Sequence, residues 1–157
     1  MHYYHRFVVN APLEAVREFH SRSASMGAIT PPPIIVQVHE APAVLSEGSA
    51  MRFTLWMGPL PLRWHARMSD VGQGGFVDTM ERGPFKIWRH EHRFVAIDAQ
   101  RTEVLDSLHI EPSANWFWWT VGKSMILGLP LLFGWRALRT RQILERAAAG
   151  QPAPVTK

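Results

Sequence analysis

Two histidines and two aspartates are the residues here whose types and spacing could do chemistry. In Trp88-Arg89-His90-Glu91-His92-Arg93-Phe94, strand alternation puts Trp88, His90, His92 and Phe94 on one face and Arg89, Glu91 and Arg93 on the other. The charged side belongs in water, so both imidazoles should point inward, about 7 Å apart along the strand. Such a pair can exchange protons with a ligand, hydrogen-bond to it, or ligate a metal ion together with Asp106 or Asp78 on a neighbouring strand. Strand spacing is generic and buried polar groups must be paired, so a structural polar network is the first expectation, ligand contact the second and a metal ion the last. His90, His92 and Asp106 are thus the candidate catalytic residues, joined by Arg67 only if its strand is turned the other way, and neither a metal nor a cofactor is expected.

Other chemistry is absent from the sequence. There is no cysteine, which removes disulfides, thiolate nucleophiles and zinc-thiolate sites together. No phosphate loop, dinucleotide fingerprint, nucleophile elbow or His-Glu-x-x-His helix occurs, and Gly72-Gln73-Gly74-Gly75 lacks the helix a nucleotide site would need after it. The net charge of +4 is a small surplus rather than a basic stripe, so no nucleic-acid partner is expected; Arg136, Arg139, Arg141 and Arg146 read as a solvated helix end. With 157 residues, 46% hydrophobic and 19% charged, the chain suits one globular domain over 1–149 with a tail over 150–157. Seven Trp, eight Phe and seven Met exceed what a minimal core requires and hint at an apolar cavity. Trp64 and Trp88, with Met125 and Leu129, are its candidate walls, although each is as readily core filler.

The elements that must position these residues are legible in outline. Residues 2–9 read as a strand, and Pro12 followed by Leu13, Val16 and Phe19 starts a short helix or helix pair that Pro31-Pro32-Pro33 ends. Period-two alternation then runs through Ile34–His39, Met51–Met57, Leu62–Ser69, Phe76–Glu81, Lys86–Ile97 and Thr102–Ile110, with glycine-rich turns between. Thr120–Ala149 reads as one long helix with a bend at Pro130. Runs of like elements rather than strand–helix alternation make this an α+β plan: a curved antiparallel sheet of about six to seven strands wrapped on a long C-terminal helix.

That order, with Phe7-Val8-Val9-Asn10-Ala11-Pro12-Leu13-Glu14-Ala15-Val16, Ile29-Thr30-Pro31-Pro32, Leu60-Pro61-Leu62-Arg63-Trp64, Gly75-Phe76-Val77-Asp78 and the segment Gly83–Phe94 followed by Thr102-Glu103-Val104-Leu105-Asp106, resembles the START-like, helix-grip superfamily (SRPBCC). Its small bacterial ligand-binding, cyclase/dehydrase-like members are the nearest likeness. The resemblance implies a hollow between sheet and C-terminal helix that takes a small, mostly apolar molecule. Lipid carriers, quinone-binding proteins and polyketide aromatase/cyclases all share the fold, which does not choose among them.

The leading expectation is therefore binding of a small hydrophobic ligand (lipid-, quinone- or polyketide-like) by Trp64, Trp88, His90, His92, Asp106, Met125 and Leu129. A cyclase or dehydratase using inward His/Asp groups is the alternative. The stretch Trp116–Trp135 holds thirteen apolar residues in twenty, enough to be weighed as a membrane span and placed behind a buried helix. A membrane-associated accessory protein, touching lipid through Trp116, Phe117, Trp118 and Trp119, is the third reading. No signal-peptide pattern opens the chain, so a cytoplasmic location, with or without peripheral membrane contact, is expected.

Overall fold

A computed structural model describes residues 1–150. The chain order is β1 (His2–Val9), α1 (Leu13–Ser21), α2 (Ser25–Ala28), β2 (Ile35–Glu40), β3 (Ala50–Met57), β4 (Leu60–Gly72), β5 (Gly75–Arg82), β6 (Phe85–Asp98), β7 (Arg101–Pro112) and α3 (Trp116–Ala148). The seven strands form one antiparallel sheet in the order β1-β7-β6-β5-β4-β3-β2. Strands β2 to β7 are thus a simple meander, and β1 closes the far side by pairing with β7. This is the α+β helix-grip architecture, a curved sheet followed by a long C-terminal helix that packs against β1, β6 and β7.

Alternation decides which side of the sheet is covered. Leu62, Trp64, Ala66 and Met68 of β4 are buried while Arg63 and Arg67 face out. Arg67 pairs with Glu81 on the outer face, so the inverted strand that would have brought it into the site does not occur. Tight turns need backbone that only glycine adopts freely: Gly58, at φ +61°, lets Met57 pair directly with Leu60. Gly75 meets a stricter demand, since at φ +136° a Cβ there would lie 1.8 Å from the His92 carbonyl oxygen.

The long helix starts at Trp116 rather than Thr120 and ends at Ala148. Asn115 explains the earlier start: its side chain accepts hydrogen bonds from the backbone N–H groups of Phe117 and Trp118, satisfying two donors that an uncapped first turn would leave open. The helix continues through Pro130. Its buried stripe, Gly122, Ile126, Leu129, Phe133, Ala137, Thr140 and Leu144, recurs at three- and four-residue spacing and faces the sheet. Gly122 permits close approach, with the Phe85 ring 3.1 Å from where its Cβ would be. Among the described residues no helix is long and apolar enough to cross a membrane.

The strands run one to three residues beyond several of the expected ends, and β2 begins at Ile35. At this edge of the sheet the register with β3 slips between Val38 and Glu40. The expected tail, 150–157, lies outside the described residues apart from Gly150.

Candidate functional site

Sheet register brings the chemistry together. On the inner face of β6, His90 stands opposite Asp78 of β5, and His92 stands opposite Asp106 of β7. The histidine strand therefore lies between two carboxylate strands, and each imidazole also reaches the diagonal carboxylate. His90 Nε2 is 2.9 Å from Asp106 Oδ1 and His92 Nε2 is 3.2 Å from Asp78 Oδ2; in each hydrogen bond the ring N–H donates. His90 Nδ1 lies 3.4 Å from Asp78 Oδ2 and His92 Nδ1 3.1 Å from Asp106 Oδ1. The last contact is close but misdirected, so His92 Nδ1 is a buried nitrogen without a hydrogen-bond partner. The rings have leaned together until their centroids are 3.8 Å apart, well inside the spacing of their backbone positions.

Packing fixes both rings. Phe76 stacks on His92 at 4.3 Å, and Phe133 of α3 meets His90 edge-on at 5.5 Å. The side chains of His90, His92 and Asp106 are 4%, 5% and 3% exposed, whereas Asp78 keeps 19%, so the cluster opens on the Asp78 side. Burial by itself would raise the Asp106 carboxyl, but the hydrogen bond from His90, the adjoining His92 ring and the charge of Arg136 hold it well below the usual carboxylate range. Asp78 is held down against burial in the same way, by the two imidazoles. Burial would likewise lower His90, and Asp106 and Asp78 overcome it, so that ring holds a proton more firmly than a free histidine.

The open side gives on to a cavity of about 280 Å³ enclosed by the inner sheet, α1, α2 and α3. Met51, Phe53, Trp64, Met68, Trp88 and Met125 make much of its apolar wall, and Asp78, His90, His92 and Arg136 are among its polar lining groups. The tryptophans are locked in an aromatic cluster: Trp64 meets Trp88 edge-on at 5.3 Å, and Phe85 packs on Trp88 at 5.0 Å. Five of the seven residues expected to touch a ligand (Trp64, Trp88, His90, His92 and Met125) line this space. Asp106 and Leu129 do not: Asp106 sits behind the histidines, and Leu129, 1% exposed, is spent on anchoring α3 to the sheet.

Several lining groups escape the sequence reading, among them His20, Arg136, Ser23 and Ser25. His20 follows Val16 at helical spacing, and that apolar stripe is the signal that would have placed it inside. Arg136 sits one turn beyond Leu132 on α3, within what reads as a basic helix end. Ser23 and Ser25 come from the joint between α1 and α2, where spacing carries no signal.

No family model and no curated protein matches the sequence. Solved structures match its shape. The Zhui aromatase/cyclase from Streptomyces sp. R1128 superposes with a TM-score of 0.76 at 18% identity, over 97% of this chain and 99% of that one. Norcoclaurine synthase from Thalictrum flavum, in complex with dopamine and hydroxybenzaldehyde, gives 0.65 at 11% identity over 98% and 89%. The di-domain aromatase/cyclase BexL of the BE-7585A biosynthetic pathway gives 0.68 at 14% identity over 94% of this chain and 47% of its own. At such identities the shared property is the fold.

Proposed function

We propose, from the helix-grip superfamily fold of this chain, that it binds a small, largely apolar molecule of aromatic or polyketide-like character in the cavity beneath α3. The single observation behind this is the make-up of the cavity wall: indole, phenyl and thioether surface over much of it, with the Asp78–His90–His92 cluster among its polar groups. Burial of apolar ligand area at about 25 cal/mol per Å² supplies affinity, and that cluster sets orientation. Trp64, Trp88 and Met125 hold the apolar body, and His92 and Asp78 meet its oxygen-bearing end. Asp106 and Leu129 act through the residues that they position.

A second reading is supported by the same cluster and by the two aromatase/cyclases of like fold. In it an imidazole takes a proton from carbon next to a ligand carbonyl and the chain is a cyclase or dehydratase. A third feature, exposure of Trp116, Phe117 and Trp119 at the start of α3, supports peripheral contact with a lipid surface from which an apolar ligand is taken up.

Native mass spectrometry of the purified chain, with titration by the apolar dye anilinonaphthalene sulfonate, tests the reading. A co-purified small molecule, or a single dye site weakened about tenfold or more by Trp88→Ala in a chain that keeps its circular dichroism, is the expected result. An empty chain with no dye site, or one indifferent to Trp88→Ala, overturns it. Proton-to-deuterium exchange into benzoylacetone, lost in His92→Gln, would move the assignment to the enzyme.

A further inference from the structure

The cluster poses a problem of donors. Four nitrogen–oxygen contacts of 2.9–3.4 Å link two imidazoles to two carboxylates, yet two neutral rings carry one N–H each and can serve only two. With His90 Nε2–H donating to Asp106 and His92 Nε2–H to Asp78, the other two contacts set lone pair against lone pair: His90 Nδ1 against Asp78 Oδ2 at 3.4 Å and His92 Nδ1 against Asp106 Oδ1 at 3.1 Å. Unscreened lone pairs at that distance in a buried site repel. Two added protons would remove the conflict by creating imidazolium cations 3.8 Å apart, with their own repulsion. One divalent cation between Asp78 Oδ2, His90 Nδ1 and His92 Nε2, displacing the His92 proton to Nδ1, removes it without that repulsion.

We propose that Asp78, His90 and His92 bind one first-row divalent metal ion, of the zinc type, with Asp106 as the outer carboxylate. The three ligand atoms lie within 4.8 Å of one another, and Asp78 Oδ2 is 3.2 Å from His92 Nε2 and 3.4 Å from His90 Nδ1. Ligands held about 2.1 Å from a tetrahedral ion are about 3.4 Å apart, so the site is already near metal-binding size. Two imidazoles and one carboxylate are a recurrent donor set for such ions. The nitrogens turned away from the ion face Asp106, which supplies the carboxylate support that metal-bound histidines ordinarily have. The proton that the ion displaces from His92 Nε2 moves to Nδ1, 3.1 Å from the Asp106 carboxylate. Asp78 is the most exposed of the four and fronts the cavity, so the open coordination position faces the ligand space, where it suits an oxygen of a ketone, phenol or carboxylate. An occupied site leaves the apolar cavity as proposed but takes the ring lone pairs, and so excludes either imidazole as the proton acceptor.

Chelator-treated full-length chain titrated with Zn²⁺ and with Co²⁺ tests this, read by calorimetry and by the visible bands of four-coordinate Co²⁺. The expected result is one equivalent bound, weakened about 10- to 100-fold by Asp106→Asn and more by Asp78→Asn. His109→Ala, which breaks an exposed histidine pair on β1 and β7, should change nothing. Absence of saturable binding, or binding unaltered by Asp78→Asn in a variant with native circular dichroism, overturns the proposal. The dye titration in chelator reports on the cavity separately, so loss of one reading is not loss of the other.

Discussion

His20 is a buried titratable group set apart from the aspartate–histidine cluster, on α1 rather than in the sheet. Burial pushes its imidazole down to about 4, aided by His92 of β6 and Arg136 of α3 and opposed by the Val16 carbonyl and Asp106 of β7. Its Nδ1–H donates to the Val16 carbonyl at 2.9 Å, and its ring packs on Phe94. In the fold it stays neutral down to about pH 4, whereas in the unfolded chain it takes a proton below about 6.5. Its stabilising contribution is therefore complete above pH 6.5 and is lost as pH falls from 6.5 toward 4, by roughly 3 kcal/mol in all. Urea unfolding of the wild type and of His20→Phe across that range checks this: the variant should lack that part of the acid slope, and parallel curves would contradict it. Alternation alone made the inward turn of His90 and His92 legible. Their partners were half legible, because a meander names the neighbouring strands but the pairing of His90 with Asp78 and of His92 with Asp106 depends on turn length. Arg136 was misread because a basic run hides the one member that faces in.

Elements were read best where their period is strict. The inward faces of β4 and β6 follow from sequence, and so does the apolar helix over them. The first turn of α3 was missed although Asn115 is a strong capping residue, since an aromatic run after it drew the boundary inward. The turn between β4 and β5 has structural force of another kind. Gly75 lets β5 come up against the His92 backbone, and a Cβ there would meet the carbonyl oxygen at 1.8 Å in a backbone conformation hostile to other residues. Gly75→Ala should cost at least about 3 kcal/mol and push β5, with Asp78, away from β6. Thermal unfolding gives the first effect; weakened metal binding in whatever folds gives the second. An unchanged melting temperature would show that the turn yields at little cost.

At the scale of the whole molecule, the sheet wraps the helix, and the side of that helix turned away from the sheet stays strongly apolar. Trp116, Leu127 and Leu131 are 78%, 82% and 77% exposed, and Lys123 lies over the Trp119 ring. Co-sedimentation with phosphatidylserine-containing vesicles at low salt should therefore retain the chain, and Trp116→Ala with Trp119→Ala should lower the retained fraction severalfold. No retention by vesicles at low salt would remove the lipid contact. Composition had announced an excess of apolar surface without saying where it would go; the structure divides it between a cavity and this ridge. Composition and the helix-grip resemblance pointed to a cavity between sheet and helix, but its other wall, the α1–α2 joint, was not legible, because no periodicity operates there.

The sheet remains open at β1 and β2, and β2 has consequences for crowding. It is six residues long, it loses register between Val38 and Glu40, and prolines precede and follow it at Pro33 and Pro42. A strand from another molecule arriving there would find a broken ladder and few consecutive donors and acceptors to copy. Exposed Ile35 and Val38 can then persist at this edge of the sheet without offering another strand a continuous ladder to extend.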